Sequence, residues 1–175
     1  MSNVEVNIDE EISKFVYEKT KDKKYDIDLN KKIIEIIEFL LNEENINVEK
    51  VSVCITKETE EGIRSLNKEY RNIDKTTDVL SFPIFEKYEL ENIKKEKNKE
   101  KIIKELELGD IILCMEVVEK QSIEYETGIV RETLYMITHG MCHLLGYDHI
   151  IESDKVIMRK LEKKVLNALG VIKDE

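Results

Sequence analysis

The chain has 175 residues, 38% of them charged and 41% hydrophobic, with a formal net charge of −10. That length predicts one domain spanning 1–175, large enough to bury a core without disulfides, and the apolar fraction excludes a disordered chain. The acidic balance lacks the basic footprint of a nucleic-acid binder, although affinity depends on local and not total charge.

Residues 1–29 are weakly patterned, with VEVNI as a candidate edge strand and KYDID as a second short one. KKIIEIIEFLLNEE then places Ile33, Ile36, Ile37, Leu40 and Leu41 on one face and predicts an amphipathic helix. VSVCIT (51–56) is β-branched and apolar, hence a strand. TEEGIRSLNKEYR carries Ile63, Leu66 and Tyr70 at helical spacing, with Thr59 as its cap. DVLSFPI is the next strand, and Pro83, the only proline, should end it or sit on an edge. The segment 84–107 has seven Lys and seven Glu and little apolar content, which predicts a solvated helical or mobile insertion. LGDIILCM follows as a strand, then MEVVEKQSIEYETG as a helix ending near Gly128. GIVRETLYMITHGMCHLL predicts a longer helix stopped by Gly146, and SDKVIMRKLEKKVLNALG a last one with Ser153 as cap and Gly170 as stop. Strands and helices mix without regular alternation. The expected class is α+β, a small mixed sheet of about four strands packed against about five helices.

Cys54, Cys114 and Cys142 are odd in number and form no CxxC pair; the first two sit in apolar runs and read as small hydrophobes. The opening NVEVNIDEEISK is charged and unlike a signal peptide. No apolar run approaches the roughly 20 residues a bilayer span needs. These features predict a protein of the reducing cytoplasm, with no membrane partner.

All three histidines fall in THGMCHLLGYDH. His139 and His143 are i and i+4, so they face the same way on the predicted helix. Leu134, Ile137, Met141 and Leu145 make its apolar stripe, and the two imidazoles lie roughly opposite. Gly146 permits the chain to turn and bring His149 back beside them. Three converging imidazoles with one open position fit a catalytic zinc site, whereas a structural site normally supplies a fourth ligand. Imidazole also suits copper, iron and nickel. A bound zinc acidifies water, so hydrolysis is the economical expectation. The spacing matches zinc proteases of the HExxHxxGxxH type, but Gly140 stands where their catalytic glutamate would be. Cys142 is turned about 100° away from His143 and should pack.

A second polar stretch, RSLNKEYRNIDKTTDVLSF, places Arg71 between a helix and a strand, on a predicted loop with Lys68 and Lys75 on either side. A guanidinium fork matches phosphate geometry. Near the metal it would suit phosphodiester cleavage; an ion pair with Asp74 or Asp78 is the alternative.

Together these stretches resemble the YbeY family of bacterial endoribonucleases and rRNA maturation factors. The family's HGxLHLxGYDH stands here as HGMCHLLGYDH, with Cys142 in place of leucine. Its LNxxYR and TDVLSF signatures stand as LNKEYRNIDKTTDVLSFP, and LGDI occupies 108–111. The resemblance covers roughly 33–169. It implies one Zn²⁺ held by His139, His143 and His149, with His143 and Arg71 central to catalysis. It also implies single-stranded RNA as substrate, notably the 3′ precursor end of 16S rRNA, and the small ribosomal subunit with its factors as partners. Asp148 is a candidate to act as a base or to orient a ligand, the second role being favoured because it adjoins His149, and Lys68 and Lys75 are candidates for RNA contact. Tyr147 and Phe82 are possible base-stacking partners, though core packing suits them better. Three departures stand out: the long insertion at 84–107, the unmatched N-terminus, and a strand running on through Cys114 and Met115. The competing readings are a zinc hydrolase of another substrate and a ribosome-assembly factor whose metal only braces the fold.

Overall fold

The computed structural model describes residues 3–20, 28–46, 48–95 and 104–171. KYDID lies outside them but for Asp28. At the centre are two parallel strands, β2 (Lys50–Lys57) and β4 (Glu105–Leu113). β1 (Asn3–Ile8) extends the sheet in parallel beyond β2, and β3 (Val79–Pro83) closes the other edge antiparallel to β4, giving the order β1-β2-β4-β3. Val51, Val53 and Ile55 alternate inward along β2, as a strand with one buried face requires. Pro83 ends β3 on the edge of the sheet, where its missing N–H removes no ladder bond.

β4 starts inside the segment read as an insertion and carries a bulge. Ser52 pairs with Glu107 and Val53 with Gly109, so Leu108 is skipped. The skip lets Leu106 and Leu108 face the core before it, and Ile111 and Leu113 after it, although the two pairs differ in parity. Gly109 is required there: its φ is +132°, and a Cβ would stand 2.1 Å from the Phe82 carbonyl oxygen. The strand does not run on through Cys114 and Met115. Leu113 is its last residue, Cys114 is the N-cap of α5 (Met115–Glu124), and Met115 opens that helix.

Seven helices surround the sheet in the described residues. The two beyond the expected five lie in the weakly patterned stretches. α1 (Glu10–Lys19) is capped by Asp9 and buries Ile12 and Val16. α4 (Lys87–Lys95) docks by Leu90, only 1% exposed, and by an ion pair from Lys94 to Glu44. The first half of the charged segment is therefore a packed helix and not a solvated arm. α2 (Leu29–Glu43) buries Ile33, Ile36, Ile37, Leu40 and Leu41 as its period dictates. Burying such side chains contributes about 1.5–3 kcal/mol each. α3 (Glu60–Arg71) is capped by Thr59 Oγ1, which accepts from Gly62 N at 3.0 Å. Ile63 of α3 joins Leu80 and Cys114 in a small second cluster.

α6 (Ile129–Leu144) is the hub, touching α1, α2, α5, α7, β3 and β4. It does not bury a single stripe. Met136, Thr138, Gly140, Cys142 and Leu144 are buried along with Leu134, Ile137 and Met141. A helix enclosed on nearly all sides reads as apolar all round, and its histidines occupy a partly open strip. α7 (Glu152–Ala168) closes the described chain. Its N-cap is Ile151, which makes no side-chain cap bond, and Ser153 lies within the first turn. Gly170, with φ +67°, stops it.

Candidate metal centre

α6 ends in a Schellman turn. Gly146, at φ +87°, donates from its N–H to the His143 carbonyl, and the Tyr147 N–H donates to the Cys142 carbonyl, each at 3.0 Å. The reversal brings His149 back over the last turn of the helix. Ring centroids then lie 4.7 Å apart for His139 and His143, 5.4 Å for His139 and His149, and 5.0 Å for His143 and His149. One nitrogen from each ring falls within 4.8 Å of the others.

The rings are oriented from behind. His139 Nδ1 lies 2.7 Å from Glu162 Oε1 of α7, whose side chain is 5% exposed. His143 Nδ1 lies 3.0 Å from the Tyr147 carbonyl oxygen. A carbonyl and a carboxylate accept, so both Nδ1 atoms donate and both Nε2 lone pairs point forward. Those two Nε2 atoms are 3.2 Å apart. Two lone pairs facing each other call for a cation, and an all-imidazole donor set fits a zinc-like ion. Burial, then the neighbouring His139 and His149, pushes the His143 imidazole down to about 4, so it stays neutral and ligand-ready. Burial pushes the Cys142 thiol up, which keeps this sulfur out of the donor set.

Gly140 faces the sheet. A Cβ there would stand 3.0 Å from Ile111 Cγ2, with two more Ile111 atoms within 3.2 Å. A side chain at 140 would press on the Ile111 side chain and point at the sheet, away from the open strip that the histidines occupy.

The histidines open onto a cavity of about 770 Å³ that Arg71, Asp78, Ser81, Lys87 and Tyr147 also line. Arg71 is exposed and lies at the end of α3, not on a loop; Asn72, at φ +57°, caps the helix behind it. Among the described residues Arg71 has no ion pair. Asp74 is already taken, by Arg64 at 2.7 Å and Lys68 at 3.0 Å. Asp78 instead accepts from the Val79 N–H and from Gln121. Lys68 and Lys75 do not line the cavity. The cavity's fixed charges are mixed: Arg71 and Lys87 face Asp78, Glu86, Asp148 and Asp154. Phe82 packs edge-on against Tyr70, 5.1 Å between centroids, and Tyr147 donates its hydroxyl to Glu44.

Asp148 lines the cavity, and among the described residues no hydrogen bond joins its carboxylate to an imidazole ring. Its Oδ1 accepts from the His149 backbone N–H at 2.7 Å. The carboxylate that orients a ring is Glu162, which the sequence reading overlooked. Its signal was present: Glu162 falls within the buried stripe Met158, Leu161, Val165, Leu166 of α7, and a carboxylate in an apolar stripe needs a partner.

The sequence matches the family described as Endoribonuclease YbeY over residues 15–170. An Endoribonuclease YbeY of Clostridium botulinum (strain Langeland) is 42% identical over 152 residues, covering 82% of this chain and 90% of that one. One from Clostridium perfringens (strain SM101) is 40% identical over 160 residues, covering 86% and 94%. One from Finegoldia magna is 42% identical over 137 residues, covering 78% and 79%. The solution structure of TM1509 from Thermotoga maritima aligns with a TM-score of 0.46 at 24% identity, covering 96% of this chain and 91% of that one. On the extent of the family match and the identity to its curated members, this chain belongs to the Endoribonuclease YbeY family.

Proposed function

We propose that this protein is a zinc-dependent endoribonuclease of single-stranded RNA, acting in rRNA maturation at the 3′ end of 16S rRNA and in ribosome quality control. Three convergent imidazoles and an uncommitted arginine opening onto one cavity carry this reading. His139, His143 and His149 hold the ion, one per chain, and Glu162 and the Tyr147 carbonyl keep the first two rings turned toward it. A Zn²⁺ ion so held supplies Lewis acidity and a water acidified to near neutrality. Arg71 approaches from the opposite wall. Its guanidinium donates to two phosphate oxygens as a fork and stabilises the charge that builds there during cleavage. An unpaired strand suits the site because it can bend one phosphodiester into a cleft. The protein works as a single domain in the cytoplasm, with the small ribosomal subunit and its factors as partners. No described helix is long and apolar enough to cross a membrane.

The test is cleavage of a labelled single-stranded RNA carrying the 16S 3′ precursor sequence by wild type, His143→Ala and Arg71→Ala, with zinc per chain measured on each. Wild type should carry about one zinc and cut; both variants should fail, and Arg71→Ala should keep its metal. A wild type that holds zinc and cuts nothing would move the metal to a bracing role. Equal cutting by all three would trace the activity to a contaminant.

A further inference from the structure

A second cavity, of about 700 Å³, lies between α5, α6 and α7. Arg131, Arg159, Lys160 and Lys163 line it, and none of the four has an ion-pair partner among the described residues. In a chain of net charge −10, four uncommitted cations on one concavity are a local reversal of sign. Arg159 and Lys163 are i and i+4 on α7 and share a face. Three carboxylates line the same cavity, each hydrogen-bonded: Glu162 with His139, Glu132 with Thr127 Oγ1 at 2.7 Å, and Asp78 with Gln121.

Two polar atoms here are buried without a partner, Arg131 Nε and Gln121 Oε1. The Gln121 amide donates from Nε2 to Asp78, which lines this cavity too. Tyr125, half exposed on the rim, offers a ring face to a base. The cavity also adjoins the metal cleft. Asp78 lines both, and successive turns of α7 divide between them, with Asp154 and Ile157 on the metal side and Val156 and Arg159 on the other.

We propose that this cavity is a second nucleotide subsite, gripping the phosphodiester backbone of the RNA strand away from the cut position while Tyr125 stacks a base. The subsite rests on the nuclease reading for the identity of the strand. Its lining sets four cations against three carboxylates, where the metal cleft sets two against four.

The test measures binding of a labelled single-stranded RNA of about twelve nucleotides across a salt series. Arg159 and Lys163 are exposed, so Arg159→Gln/Lys163→Gln should fold normally. Each phosphate contact on a single strand contributes about 0.7 to the slope of log affinity against log salt, so the double variant should lower that slope by about 1.4. Tyr125→Ala should weaken binding at least about fivefold. Lys164→Gln, on the same helix but paired with Glu43 outside the cavity, should change neither. An unaltered slope in the double variant, beside weakened binding by Arg71→Ala, overturns the subsite and leaves the nuclease reading standing. An equal loss in Lys164→Gln makes the effect one of general charge and overturns it too. Inorganic phosphate binding the wild type as tightly as the RNA does makes the occupant a free anion, which overturns the strand path. No RNA binding by wild type sinks both readings together.

Discussion

The two walls of the metal cleft are built in opposite ways. On the α6 wall every ring is partly buried or stacked, and two of the three are bonded from behind to Glu162 and to the Tyr147 carbonyl. On the α3 wall Arg71 is exposed and unpaired at a helix end. A metal site needs its donors fixed before the ion arrives, because each ligand that must be ordered on binding costs affinity. A phosphate clamp gains from reach, since its partner arrives with the substrate. On the proposed function, the difference suits one wall to binding the ion and the other to recognising charge.

The sharpest way to break that division is to exchange the losses. His143→Ala should reduce metal per chain to near zero and take cleavage with it. Arg71→Ala should lower the cleavage rate about 10²–10³-fold, the usual cost of one stabilising donor, at unchanged metal content by elemental analysis. If Arg71→Ala also loses the ion, the two walls are not separable. Glu162→Gln comes next: it keeps the shape but weakens the acceptor behind His139, and metal affinity, measured by competition with a chelator, should fall about 10–100-fold. An unchanged affinity would mean that packing alone orients the ring.

Smaller effects test the frame behind the histidines. Gly140→Ala pushes a methyl into Ile111 and should cost about 1–3 kcal/mol in urea denaturation, without conferring peptidase activity. The mildest effect is on pH. His143 is held down to about 4 in the folded, metal-free protein against 6.5 for the free group. Between those values the unfolded chain binds a proton that the folded one does not, so stability rises with pH across that window. Thermal melts of the metal-free protein should therefore fall as pH is lowered from about 6.5 to about 4, and more shallowly in His143→Asn. Equal slopes in the two would remove His143 from the acid response.

Local signals were legible and distant ones were not. The histidine spacing, the Gly146 stop and the α2 stripe are encoded within a few turns, and the structure builds each as its period predicts. The enclosure of α6 was not legible, because a helix surrounded by six elements shows no polar face to the periodicity and its buried threonines and Gly140 look neutral. α1 was overlooked, and the packing of α4 within a segment read as solvated helical or mobile was too, for the converse reason: each buries only one or two side chains, too few for a stripe. Glu162 lies 23 residues from the ring it orients, and only the fold brings the two together. Arg71 was singled out by its place between a helix and a strand, and the family resemblance added a catalytic role; Arg64 of the same stretch is paired by the structure with Asp74.

Glu44 carries a further consequence. It caps α2, takes the hydroxyl of Tyr147 in the metal turn, and pairs with Lys94 of α4. With Glu162 on α7, the groups that seat the ion are drawn from segments as far apart in the chain as residues 44 and 162. Such distant contacts are the last a chain can afford to close, because the loop entropy must be met before they form. A partly folded molecule has His139 and His143 on a helix but nothing to turn their rings. On the proposed function, tight metal uptake is therefore a property of the finished tertiary structure, and the rate at which an added metal ion is captured during refolding would time its last step.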